Sequence, residues 1–266
     1  MSKKNELQKK PLAPLTTTLE RLVAQNQDNF PFETRTAQRL QQNAIMTVAQ
    51  NAKLMEVAIK NPGALAMQVY NFVALGLDMN MKEAYLVPFG NEIVPIIDYK
   101  GLVKLVNNFG KPAVSKIDFD LVREKDYINM ENGKLTHTYK PFFDRGGLIG
   151  VYCSVLYENG ETVYTLVDKE EIEKVKSTSK SSSGKDSPWN KWEESMWIKT
   201  AIRKAMKTIT LDFGKYDELH RTFERADDDV DFNNFNPNRE NRDVVINQED
   251  ILDAETGEYE EVEIEL

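Results

Sequence analysis

The chain has 266 residues, a formal charge of −9, 41% hydrophobic and 29% charged side chains, the profile of a globular protein with room for one large domain or two small ones. No apolar run approaches the roughly 20 residues of a membrane-crossing helix, and no apolar signal core follows the basic N-terminus. A single cysteine, Cys153, excludes an internal disulfide framework; a cytoplasmic protein without membrane attachment is the expectation.

Residues 1–33 carry Pro11, Pro14 and Pro31 among many polar residues, so a flexible arm with one short helix near Thr18–Gln25 is expected. From Thr34 to Gly76 the apolar spacing is helical, with Asn61-Pro62-Gly63 as a break and Gly76 as a stop. Tyr85–Phe89 and Ile93–Tyr99 flank Gly90-Asn91-Glu92, which predicts a β-hairpin; Pro88 and Pro95 point to edge positions or a bulge. A short helix follows from near Lys100 to Gly110.

From Ala113 to Val167 the chain reads as an antiparallel meander, with tight turns at Asn132-Gly133 and Asn159-Gly160. Asp168 and Glu171 have the spacing of a capping box for a helix to about Lys176. Residues 177–188 form a Ser/Lys/Gly loop by composition. A helix then runs to about Thr210, and order fades after Phe213. The fold class expected is α+β: a hairpin and an antiparallel sheet packed with helices, a helical N-terminal part, and a disordered acidic tail. The domain boundaries expected are an arm at 1–33, a main domain at 34–215 and the tail at 216–266.

Charge is unevenly placed. Residues 227–266 hold 15 acidic and 2 basic side chains, so the rest of the chain is mildly basic. Such asymmetry suits an interaction tail on a body that meets a polyanion, or simply a solvated tail.

Catalytic residues are scarce. With two histidines and one cysteine, no Cys/His metal cluster or Cys–His nucleophile is suggested. His137 reads as an ordinary surface histidine. Ser183-Gly184-Lys185 lacks the upstream glycine and strand of a phosphate loop. Asp118 and Asp120 share a strand face that a metal-dependent nuclease could use, or that is merely solvated. No cofactor is expected, and the inventory argues against an enzyme.

The segment Ser187–Lys207, S-P-W-N-K-W-E-E-S-M-W-I-K-T-A-I-R-K-A-M-K, holds all three tryptophans and five cations. As one helix it buries Ile198, Ala201, Ile202, Ala205 and Ile209, and aligns Trp192, Met196, Lys199, Arg203 and Lys207 on the opposite side. The three cations then stand about 6 Å apart along the axis, an interval comparable to that between phosphates of an extended strand. No acid occurs from Ser195 to Leu211, so these cations lack intrahelical partners. Trp189, Lys191 and Trp192 at the head of the row could stack on bases or meet phosphates. Lys100 and Lys104 share a second helical face beside Tyr99, where helix N-terminal amides favour an anion. Asn91, Lys140 and Arg145, the last two flanking Pro141-Phe142-Phe143, are weaker candidates.

Y-L-V-P-F-G-N, I-I-D-Y-K-G-L-V-K-L, S-P-W and the basic helix I-K-T-A-I-R-K, in this order and spacing over about residues 35–215, resemble the RecT family of phage recombinases, which are single-strand annealing proteins. The resemblance implies an α+β core similar to that of the wider annealing superfamily, and ATP-independent pairing of complementary DNA strands on a ring or helical homo-oligomer. It further implies single-stranded and annealed duplex DNA as ligands, with a partner exonuclease and a host single-strand-binding protein. Tyr99, Lys100 and Lys104 fall on the family's Y-K-G segment, and Lys199, Arg203 and Lys207 on its basic helix. Many relatives carry two adjacent arginines where this chain has Arg203-Lys204.

On this reading a groove between the two basic helices holds one strand, and residues 36–76 supply subunit contacts. Replacing Lys199, Arg203 and Lys207 by Ala is expected to abolish binding with little effect on unfolding. The alternatives are a metal-dependent nuclease using Asp118 and Asp120, and an acidic-tailed adaptor without DNA affinity.

Overall fold

The computed structural model describes residues 12–89, 92–179 and 187–226. The chain is α+β, and its elements gather into two compact units that divide at Ile96/Ile97 and at Asp217/Glu218.

In the first unit, α1 (Ala13–Gln25) packs against α4 (Pro62–Ala74), while α2 (Thr34–Gln50) packs against α3 (Ala52–Lys60) and α4. The α1 helix is longer than the short one expected within an arm. Pro14 sits in its first turn, where the missing amide costs nothing. Leu15, Leu19 and Val23, spaced by four, make one buried stripe. Two asparagines punctuate the helices that follow. The Asn51 side chain accepts from the Lys53 and Leu54 amides, and Asn61 from Ala64, so each caps the next helix. The hairpin β1 (Ala84–Phe89) and β2 (Glu92–Ile97) forms as the sequence predicts.

The second unit opens with α5 (Tyr99–Phe109), which leads through β3 (Gly110–Lys111) to β4 (Val114–Arg123). The ribbon β5 (Tyr127–Glu131) and β6 (Lys134–Thr138) turns at Asn132 and Gly133, both at positive φ as a tight hairpin requires. Then come β7 (Leu148–Tyr157), β8 (Thr162–Asp168) and α6 (Lys169–Thr178). The Asp168 carboxylate accepts from the Glu171 amide at 2.8 Å, so the capping residue is as predicted.

The expected meander is corrected by the topology. Strands β4, β7 and β8 form one antiparallel sheet in that order, with Phe119 opposite Cys153 and Cys153 opposite Thr165. Among the described residues the β5–β6 ribbon pairs only with itself. The tryptophan segment is also two helices, a short α7 (Pro188–Lys191) and α8 (Glu193–Lys207), broken at Trp192. Helix α8 lies across β7, β4 and β8 and beside α5. It buries Trp197, Ala201, Ile202, Ala205 and Met206; Ile198 is only half-buried. The break at Trp192 lets Glu193 start a fresh turn. After β9 (Thr210–Leu211), which pairs with β3, the chain enters α9 (Asp217–Ala226), where fading order was expected. Leu219 and Thr222 of that helix are buried. No helix among the described residues is long and apolar enough to cross a membrane.

Candidate nucleic-acid interface

Helix α5 starts at a polar junction. Asp98, 5% exposed, turns one carboxylate oxygen to the Lys100 amide at 3.4 Å. Its other oxygen lies 2.8 Å from Lys199 Nζ. One turn further along α8, Arg203 donates to the Ile97 carbonyl at 2.7 Å. Lys199 also stands 6.0 Å above the Tyr99 ring, the outer limit of a cation–π contact. Four of the predicted residues, Tyr99, Lys100, Lys199 and Arg203, are thus brought to one junction.

The physical picture behind two of them changes. The absence of acids from Ser195 to Leu211 suggested unpartnered cations, but partners come from elsewhere in the fold: Asp98 holds Lys199, and Glu171 holds Lys204 at 2.7 Å. Lys199 and Arg203 fasten α8 to the start of α5. A buried carboxylate needs such a cation. Lys199 keeps 39% of its side chain exposed, so the junction still shows charge to solvent. Lys100 and Lys207 are exposed, and Lys104 is half-buried.

The tryptophans separate in role. Trp192, at the break, is 67% exposed, with an indole face open for stacking, and Lys191 beside it is exposed. Trp189 is 3% exposed, and its indole nitrogen finds no acceptor among the described residues. That burial corrects its assignment as a stacking residue. Asn91 lies outside the described residues.

Arg145 is corrected as well. Its guanidinium grips Asp126 through two nitrogens at 2.8 and 2.6 Å, donates to the Leu121 carbonyl at 2.8 Å, and stacks 3.5 Å over the Tyr139 ring. The Asp126 side chain is fully buried. Arg145 holds its carboxyl well below the usual carboxylate range, against the opposing effect of burial. His137 is no surface histidine. Its side chain is 3% exposed, with Nε2 at 3.2 Å from Asp126 and Nδ1 at 3.3 Å from the Tyr152 hydroxyl. Burial, and then the charge of Asp120, push that hydroxyl above its ordinary pKa. Lys140 is exposed, on the loop between β6 and β7.

Asp118 pairs with Lys116, while Asp120 accepts the Leu121 amide and lies 3.6 Å from His137. Among the described residues no group of three His, Cys, Asp or Glu side chains could hold a metal ion.

Sequence reasoning passed over Asp98 and Arg123. Asp98 was legible as a capping residue directly before the helix. Arg123 is a strand-end arginine with no local mark, and its role depends on residues 23 and 71 positions away.

The fold and site together describe an α+β protein that presents cations and an open indole along two packed helices. A sequence model of the RecT family matches residues 38–231, and the chain belongs to that family. It is similar to Protein RecT of Escherichia coli strain K12, with 33% identity over 149 residues, covering 51% of this chain and 53% of that one. The chain thus spans about half the length of the curated relative it matches.

Proposed function

We propose that the protein is an ATP-independent single-strand annealing protein that binds single-stranded DNA and pairs complementary strands during homologous recombination of a phage. The observation that carries this reading is the family match, joined to the α5–α8 pair it spans, where Lys100, Lys104, Lys191, Trp192 and Lys207 line the proposed path. Lys199 and Arg203 hold the two helices in register and add charge at the junction.

Annealing requires no covalent step. The protein neutralises phosphates without preferring a sequence, which Lys and Arg do well. An aromatic face steadies bases while their pairing edges stay available. Specificity then comes from correct base pairing itself.

In this reading residues 34–215 bind DNA and assemble into a ring or filament, the helices of 36–76 provide subunit contacts, and residues 216–266 meet protein partners. Those partners are an exonuclease that exposes single strands and a host single-strand-binding protein. The setting is the cytoplasm of a bacterial host.

The test is a fluorescence annealing assay on complementary oligonucleotides, with and without nucleotide and magnesium. Pairing that needs neither supports the proposal. Shortened oligonucleotides on adding magnesium would replace it with a nuclease, and absence of binding would leave an adaptor.

A further inference from the structure

We propose that Phe142 and Phe143 form a base-stacking platform for single-stranded nucleic acid, continuing the path that begins at Trp192. The proposal rests on the nucleic-acid reading above and adds a second aromatic station to it.

Both rings lie on the loop between β6 and β7 and are turned to solvent, Phe142 fully and Phe143 at 72% exposure. Phe142 holds a φ of 67°, a left-handed conformation that a residue this bulky seldom adopts. The base of the loop is held from both sides.

Arg145 is clamped to Asp126, to the Leu121 carbonyl and over Tyr139. The Glu124 carboxylate accepts from the Gly147 amide at 3.1 Å, and the Lys125 amide donates to the Arg145 carbonyl at 3.0 Å. Gly146, at φ 80°, passes so close to Glu124 that an added Cβ would stand 2.7 Å from its carboxylate. The aromatic pair is thus presented on a loop held at its base, and each ring has only two side-chain torsions to order on binding.

Two observations favour bases over another apolar surface. Lys140, directly before Pro141, is exposed and has no ion-pair partner among the described residues, so a cation sits beside the rings. The loop is also tied to the head of the basic helix. Arg123 donates to the Gly146 carbonyl at 3.0 Å with one arm and pairs with Glu194, two residues beyond Trp192, with the other. Aromatic rings alternating with lysines along one track are the surface that holds single strands without reading sequence.

The test compares the full chain with a Phe142→Ala/Phe143→Ala variant, titrated with an oligo-dT and with an abasic oligonucleotide of equal length. The variant is expected to lose about tenfold or more on oligo-dT and nothing on the abasic strand, with thermal unfolding and sedimentation mass unchanged. Phe142→Tyr/Phe143→Tyr should restore most of the difference. Equal losses on both strands, or no loss on either, would overturn the platform while leaving the lysine path intact. A fall in sedimentation mass without a base-dependent loss would overturn it in favour of contact between copies. If the unaltered chain binds neither strand, the nucleic-acid reading fails and the platform with it.

Discussion

Lys199 Nζ stands 2.8 Å from a carboxylate oxygen of Asp98 while the other oxygen of the same side chain caps the helix that starts at Tyr99. One buried acid therefore joins two helices through side chains 101 residues apart in sequence. Lys199→Ala strands that acid without its cation. A loss of about 1–2 kcal/mol is expected, moderated because Lys199 is partly solvated. Asp98→Asn in the same background should recover part of it, which a double-mutant cycle by chemical denaturation would measure. No recovery would mean the pair is incidental. The Lys199, Arg203 and Lys207 triple replacement is accordingly expected to weaken folding as well as binding.

Lys100, Lys104 and Lys207 offer a cleaner probe of the phosphate path, because none supplies the Asp98 tie. Replacing the three by Ala should flatten the dependence of log affinity on log salt by roughly 2 for single-stranded DNA. Gel shifts at several salt concentrations test this; an unchanged slope would place the phosphates elsewhere.

Arg145 predicts a pH dependence. Its hydrogen bonds hold the Asp126 carboxyl well below its ordinary 3.8. A depressed carboxyl stabilises the fold above its unfolded pKa, and that contribution is lost as pH falls through about 4 and below. Arg145→Met should cost about 3 kcal/mol at neutral pH by leaving a buried charge unpaired. It should also remove the part of the acid-side decline that Asp126 causes. Adding Asp126→Asn should restore much of the loss. Urea melts between acidic and neutral pH would show both effects.

Cys153 is fully buried between β4 and β8, and burial, followed by the charge of Asp118, pushes its thiol up to about 12. The thiolate is the reactive form, so iodoacetamide should leave the native protein unlabelled at mildly alkaline pH and modify it fully in urea. Rapid labelling of native protein, read by mass spectrometry, would contradict this packing.

Local signals carried much of the fold. Apolar stripes marked the helices, Asn132-Gly133 marked the ribbon turn, and Asp168 marked a helix start, because each acts over a few neighbouring residues. The longer α1 was legible in Leu15, Leu19 and Val23, but the prolines around it pulled the reading towards an arm. Meander and ribbon look alike in a linear pattern of alternating residues. Only pairing partners distinguish them, and β7 skips the ribbon to join β4.

For the candidate site, the order of residues alone determined which side chains are chemically capable: lysines and an arginine in a stretch, Ser195 to Leu211, that holds no acid, tryptophans gathered in one segment, and a Tyr-Lys pair at a helix start. Tertiary structure decided which of them face solvent. It buried Trp189 and left Trp192 open, gave Lys199 a carboxylate from across the unit, and turned Arg145 into the anchor of a loop that presents Phe142 and Phe143. Charge and ring are properties of a residue, whereas exposure and pairing depend on what distant segments bring alongside it.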